Sequence, residues 1–203
     1  MQRTSTTVIA AVGGADDVLA RLTGAANVRT LRADPGAPAL ERASTAWEQA
    51  TRTTAPYAVH DADPLAAVAE AWIRRFDGLA PGGELEVAVA ATLGRWRARS
   101  LELPDYYLVI DPEGWDPTRR HWYLGYLAAA APSRVVAAGS DLLATIGHLG
   151  AGRWWPELDR LLDGVDLVVP DRAGLPDGTT PAQASDHPGA GLIVDAGRGA
   201  LQR

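Results

Sequence analysis

Short apolar runs that alternate with helical segments are the feature that most constrains this chain. Residues 7–12 and 57–60 are such runs, and the segment after each has apolar residues recurring every three or four positions. Strands separated by helices of this length pair in parallel through βαβ units rather than as hairpins. The pattern predicts a three-layer, Rossmann-like α/β sandwich with a mostly parallel sheet of about six strands. The strands are expected at residues 7–12, 28–33, 57–60, 105–111, 134–139 and 166–170.

The helices are expected between these strands. The clearest follows Asp63-Pro64, where Leu65, Val68 and Trp72 recur at helical spacing. The segment 84–100 has the same spacing, although its VAVA core is also compatible with a strand. Further helices are expected from residue 16 to Gly24, over 38–53, over 117–131, and over 142–163 with an interruption near 150–152.

The chain divides into one domain and a tail. Residues 1–170 contain the whole strand and helix pattern, whereas glycine and proline crowd residues 174–191. The sequence therefore predicts an α/β domain over 1–170 and an extended C-terminal tail over 171–203. Residues 192–194 are the only candidate edge strand in that tail.

Two missing residue types exclude several chemistries. All 19 basic residues are arginine, so there is no lysine for a Schiff base or for a P-loop. There is also no cysteine, which excludes thiol nucleophiles, disulfides and cysteine-ligated metal centres. The preference for arginine over lysine is also typical of a high-GC genome.

Charge and hydropathy limit the partners that we expect. The formal net charge is −6 at pH 7, and a nucleic-acid partner requires a basic face, so we expect none. No run approaches the roughly 20 apolar residues of a membrane span, and the first residues lack a signal-peptide pattern. We therefore expect no membrane association and a cytoplasmic location.

The carboxyl ends of the predicted strands are where a ligand is expected, because loops and helix N-termini converge there in parallel sheets. Gly13-Gly14 follows the first strand and could turn backbone N–H groups toward an anion, or it could simply form a tight turn. Asp34 falls near the acidic position of a dinucleotide site, but the G-x-G-x-x-G glycines are missing. Gly13, Gly14 and Asp34 are kept as candidate ligand-binding residues.

Four residues at strand ends are candidate catalytic groups. His60 precedes two carboxylates, which are expected to raise its pKa and to orient its ring for acid or base chemistry. Asp61, Asp111 and Glu113 could gather around a divalent cation. Asp111 and Glu113 are equally compatible with a plain turn, and Asp63 and Asp116, each before a proline, are expected to cap helices.

Aromatic and polar residues near the same edge complete the set. Trp115, Arg119 and Ser140 are candidate ligand contacts, although Ser140 lacks the G-x-S-x-G context of a hydrolase and could be a helix cap. Trp115, Trp154 and Trp155 cannot all face inward, so some indole surface is expected to meet a ligand ring, a partner subunit or the tail. A patch containing Trp115 or Trp154 and Trp155 is expected to form a homo-oligomer.

Three functions remain open at this point. The first is binding of, or enzymatic action on, a small anionic or nucleotide-like molecule at the strand carboxyl ends. The second is a non-catalytic interaction or homo-oligomeric assembly protein. The third is a divalent-metal-dependent phosphohydrolase built on Asp61, Asp111 and Glu113. The sequence identifies no cofactor and does not decide whether the protein is an enzyme.

Overall fold

A computed structural model describes residues 6–79, 81–149 and 154–171. In these residues the chain forms one sheet of five strands in the order β2-β3-β1-β4-β5, and every neighbouring pair is parallel. The parallel α/β architecture predicted from the sequence is confirmed. The strands are β1 (Thr7–Val12), β2 (Val28–Leu31), β3 (Tyr57–His60), β4 (Tyr106–Val109) and β5 (Val135–Ala137).

Helices cover both faces of the sheet. The α-helices are α1 (Ala15–Leu22), α2 (Ala39–Arg52), α3 (Ala66–Phe76), α4 (Glu84–Arg97), α5 (Pro117–Arg120), α6 (Ala128–Ala130), α7 (Leu142–Gly147) and α8 (Leu158–Leu162). Helices α1 and α7 pack on one face through Leu19 and Ile146, which join a cluster with Ile9. On the opposite face, α3 and the helix after β4 pack through Trp72 and Trp122. None of the described helices is long and apolar enough to cross a membrane.

The strand order creates a crevice beside β1. The chain leaves β1 toward the β2 edge, whereas it leaves β4 in the other direction, toward β5. Loops that diverge from adjacent parallel strands open a space at the carboxyl ends, which is where ligands bind in such sheets. The order differs from the 3-2-1-4-5-6 order of the dinucleotide-binding fold, because here β2 lies at the edge and β3 lies beside β1.

The helix after β4 contains a rare π-helical segment, which spans His121–Leu127 between α5 and α6. Gly125 lies directly against the His121 ring in this segment, and a Cβ there would lie 2.8 Å from two atoms of the ring. The segment buries the neighbouring side chains of Trp122 and Tyr123 together. The helix expected over 117–131 is therefore confirmed, whereas its π-helical interior was not predicted. Such segments frequently occur at functional sites.

The expected sixth strand, 166–170, is wrong. Val165–Leu167 forms a 3₁₀ turn after Gly164, whose φ is +67°. The Trp72 indole N–H donates to the Val165 carbonyl oxygen at 3.1 Å, and the Val165 side chain is buried against the α3 face. These contacts tie the segment to α3 and keep it from the sheet edge. The tail from residue 172, including the candidate strand 192–194, lies outside the described residues.

Candidate functional site

A cleft of about 390 Å³ opens at the carboxyl ends of β1 and β3. Its walls come from four parts of the chain that the sheet topology brings together. They are residues 11–17 of the β1–α1 turn, Ala39 and Arg42 of α2, residues 61–63 and Ala66 after β3, and Arg119 and Tyr123 from the helix after β4. The cleft thus lies where the sequence places a ligand site.

The β1–α1 turn forms one wall of the cleft. Gly13 and Gly14 have φ angles of +76° and +61°, a conformation that favours glycine. Gly14 is the N-cap of α1, and among the described residues no side chain caps this end of the helix. The first backbone N–H groups of α1 therefore remain available at the cleft, at the positive end of the helix dipole.

Trp115 packs against this turn and holds Arg119 at the cleft. A Cβ on Gly13 would lie 2.2 Å from the indole Cζ2 of Trp115. The Arg119 guanidinium lies 5.0 Å from the centroid of the indole, and the Tyr123 ring meets the indole edge-on at 5.4 Å. Asp116 caps this helix as expected, since its carboxylate accepts from the Thr118 and Arg119 N–H groups.

Asp63 is the centre of a buried hydrogen-bond network at the floor of the cleft. Its Oδ1 accepts from the Tyr107 hydroxyl and from the Leu65 N–H, both at 2.7 Å. Its Oδ2 accepts from the Tyr123 hydroxyl at 2.6 Å. The bond to Leu65 resembles the predicted capping role, but the two phenol bonds join β3, β4 and the π segment.

Burial dominates the electrostatics of this network. The Asp63 side chain is 8% exposed, and loss of solvation raises the pKa of its carboxyl even though hydrogen bonds and Arg119 oppose the shift. Burial, together with the charge of Asp63, raises the pKa of both Tyr107 and Tyr123 well above the usual value. The two phenols therefore keep their protons and act as donors to Asp63.

Asp61 lines the cleft and connects two neighbouring elements. Its Oδ1 accepts from the Ala33 N–H at 3.1 Å, just beyond β2, and its Oδ2 lies 3.7 Å from an Arg42 terminal nitrogen. The Nε of Arg42 is buried and has no hydrogen-bond partner in the described part of the chain. Arg42 and Arg119 thus bring guanidinium groups to the cleft from two different helices.

His60 differs from the expectation based on its sequence neighbours. It is 4% exposed and does not line the cleft, and its Nδ1 has no hydrogen-bond partner within residues 6–79, 81–149 and 154–171. Burial lowers its pKa to about 4, against an opposing attraction from Asp61 and a hydrogen bond with the backbone of Ala62. The expected rise in pKa is therefore wrong, because desolvation outweighs the neighbouring carboxylate. His60 is neutral at pH 7.

The remaining predicted residues do not line the cleft. Asp111 and Glu113 are exposed around a 3₁₀ turn, and no three described acidic or histidine residues are grouped to hold a metal ion, so the proposed Asp61, Asp111 and Glu113 cluster does not form. The Asp34 carboxylate accepts from the Gly36 N–H at 2.9 Å in a local turn. Ser140 lies in a separate shallow pocket, where Asp141, not Ser140, caps α7.

The three tryptophans considered for self-association lie at opposite ends of the strands. Trp115 is half-buried at the carboxyl end, on Gly13. The Trp155 indole donates to the carbonyl of Pro104, which precedes β4, and the Arg134 guanidinium stacks on Trp154 just before β5. Trp154 is 58% exposed at the amino-terminal end of the strands, so self-association through this surface stays a prediction.

No protein-family model, curated protein or solved structure matches the chain.

Proposed function

We propose that the cleft binds a small anionic or nucleotide-like molecule, as expected of a Rossmann-like sheet. The observation that carries this proposal is the convergence of Arg42 and Arg119 on the end of α1 that no side chain caps. Two guanidinium groups and a helix N-terminus favour a negatively charged ligand group. A volume of about 390 Å³ is in the range of small-molecule sites.

Three of the four acidic residues that line the cleft already have partners, which reduces their repulsion of an anion. Asp16 forms an ion pair with Arg32 at 2.6 Å, Asp61 lies 3.7 Å from Arg42, and Asp63 is bound by two phenols. Arg119 makes no ion pair with a described carboxylate, and its guanidinium rests on the Trp115 ring. The ring fixes the side chain but leaves its N–H donors for a ligand.

Ligand binding can be tested directly by calorimetry and thermal unfolding. Inorganic phosphate and adenosine monophosphate are suitable probes, and binding to the folded state should raise the melting temperature. Arg119→Gln should weaken binding of either probe by about tenfold, the effect of losing one charge-assisted hydrogen bond. The exposed Arg97, on α4, offers a matched control, and Arg97→Gln should leave affinity unchanged. Equal losses in both variants, or no binding to the wild type, would contradict the proposal.

A further inference from the structure

We infer that the cleft selects an oxyanion that carries a proton, such as hydrogen phosphate or the monoprotonated phosphate of a monoester, over a fully deprotonated one such as sulfate. This inference rests on the proposed function and specifies its ligand. It comes from the division of the cleft into a wall that donates hydrogen bonds and a floor that only accepts them.

The floor of the cleft only accepts hydrogen bonds, because the Tyr123 hydroxyl already donates its proton to Asp63. The Tyr123 hydroxyl donates its proton to Asp63 Oδ2 at 2.6 Å, so its oxygen can only accept a further hydrogen bond. Asp63 Oδ1 already accepts from Tyr107 and Leu65, whereas Oδ2 has only the Tyr123 donor among the described contacts. Both Tyr123 and Asp63 line the cleft, whereas Tyr107 does not.

The Asp63 carboxylate fixes the direction of the Tyr123 hydroxyl, because it accepts the hydroxyl proton. Turning the hydroxyl toward a ligand would remove a donor from a carboxylate that is only 8% exposed. Leaving a buried acceptor without a donor is unfavourable, and more so when the acceptor is charged. A ligand oxygen facing Tyr123 would therefore meet a lone pair and no donor.

Asp61 adds a second acceptor to the floor. Its Oδ2 lies 3.7 Å from the nearest Arg42 nitrogen, which is beyond hydrogen-bond distance. Arg42 and Arg119 supply the hydrogen-bond donors of the cleft, because their guanidinium groups can only donate.

A ligand that suits both sides needs charged oxygens and at least one hydrogen. Hydrogen phosphate has both, since it can give its proton to Tyr123 or Asp61 while its other oxygens accept from the arginines. Sulfate at neutral pH has no proton, so one of its oxygens would face an acceptor without a bridging hydrogen. Repulsive contacts of this kind are an effective source of selectivity.

The test compares phosphate with sulfate by calorimetry at pH 7 for the wild type and two tyrosine variants. Tyr123→Phe and Tyr107→Phe each remove one phenol bond to Asp63, but only Tyr123 lines the cleft. We expect the wild type to bind phosphate at least about tenfold more tightly than sulfate, the value of one hydrogen bond to a charged group. Tyr123→Phe should lose part of this preference through weaker phosphate binding, with the Asp61 acceptor accounting for the remainder, and Tyr107→Phe should keep all of it.

A further arm distinguishes free phosphate from a monoester. Adenosine monophosphate loses its last phosphate proton with a pKa of about 6, so its affinity should rise as the pH is lowered from 7 to about 5.5. Tighter binding of the monophosphate than of inorganic phosphate at the lower pH would identify a monoester as the better ligand. Tighter inorganic phosphate would identify the free ion.

The outcomes separate this inference from the proposed function. Equal binding of phosphate and sulfate, weakened by Arg119→Gln, would overturn the selectivity and leave the anion site intact. Equal loss of preference in the two tyrosine variants would overturn the role of Tyr123 and assign the effect to general loosening of the network. Absence of binding by phosphate, sulfate and adenosine monophosphate would overturn both.

Discussion

Gly13 and Trp115 lie so close together that a single added carbon at position 13 would meet the indole ring at 2.2 Å. This contact joins the turn after β1 to the loop after β4, so two neighbouring strand ends are held together beside the cleft. The same indole supports Arg119 and meets the Tyr123 ring. The fit between Gly13 and Trp115 therefore helps to position two residues that line the cleft.

Gly13→Ala should destabilise the protein by about 3 kcal/mol, the sum of left-handed backbone strain and a steric clash. Gly24→Ala is the matched control, because Gly24 has a φ of +83° but no atom within 4 Å of an added Cβ. It should cost about 1 kcal/mol, from strain alone. Urea unfolding measures both. Equal losses would show that the indole moves aside freely, and adding Trp115→Ala to Gly13→Ala should cost less than the sum of the single changes.

The sequence predicts the fold well where the signal is local. Residues 57–60 form β3 as expected, and the segment 84–100 forms a helix over most of its length rather than a strand. The run 166–170 has the same apolar, β-branched composition as a strand, yet it does not pair with the sheet. The Trp72 indole, 93 residues away along the chain, instead donates a hydrogen bond to the carbonyl of Val165, just before this run. Tertiary contacts of this kind override local preference.

The site was only partly predictable for the same reason. Gly13, Gly14, Asp61 and Arg119 are among the predicted residues, and they do line the cleft. Asp63 was expected only to cap a helix, because its phenol partners lie 44 and 60 residues away in sequence. The two acids that follow His60 in the sequence suggest a raised histidine pKa. Burial lowers that pKa instead, and the degree of burial depends on the packed structure.

The buried histidine should make stability depend on pH in a defined direction. Its pKa is about 4 in the folded protein and 6.5 when unperturbed, so between these values the unfolded chain binds the extra proton. The contribution of neutral His60 to the free energy of unfolding is complete above pH 6.5 and is lost as the pH falls toward 4. Its size is about 3 kcal/mol, from the difference between these two pKa values.

Ionisation of Asp63 changes the stability in the opposite direction to His60 as the pH is lowered. Its pKa is raised above 3.8, so its contribution is present at low pH and is lost as the pH rises through the folded-state pKa. Relative to the wild type, His60→Gln should remove the loss of stability on acidification, whereas Asp63→Asn should make that loss steeper. Chemical unfolding between pH 4 and 7 measures these differences. His148→Gln, at an exposed histidine, should reproduce the wild-type profile, and a parallel shift in all three variants would contradict the assignment.

Asp63 and Asp116 both precede helices, but their removal should have unequal effects. Asp63→Ala leaves the hydroxyls of Tyr107 and Tyr123 buried without their acceptor, at a cost of about 3 kcal/mol or more. Asp116→Ala removes an exposed cap and should cost about 1 kcal/mol. Adding Tyr107→Phe to Asp63→Ala should recover part of the loss, because one stranded hydroxyl is then absent. If both alanine variants lost about 1 kcal/mol, Asp63 would be acting as a cap alone.

Two glycines inside helices should respond to alanine with opposite signs. Gly94 in α4 has nothing within 4 Å of an added Cβ, so Gly94→Ala should stabilise the protein by about 0.5–1 kcal/mol through lower backbone entropy. Gly125 lies against the His121 ring, which stacks on Trp72 and accepts a hydrogen bond from the Asp171 N–H at 3.1 Å. The ring therefore has little freedom to move away, and Gly125→Ala should destabilise by about 1–3 kcal/mol through overpacking.

The same substitution should also affect the cleft, because the π segment carries Tyr123 two residues before Gly125. Conversion of this segment to a regular α-helix would rotate Tyr123 away from Asp63, so Gly125→Ala should weaken phosphate binding as well as stability. Removing the ring in the double variant His121→Ala/Gly125→Ala should relieve the clash and recover part of both. Thermal unfolding and calorimetry provide the two readouts. A stabilising effect of Gly125→Ala, like that of Gly94→Ala, would show that the His121 ring does not enforce the π-helical geometry.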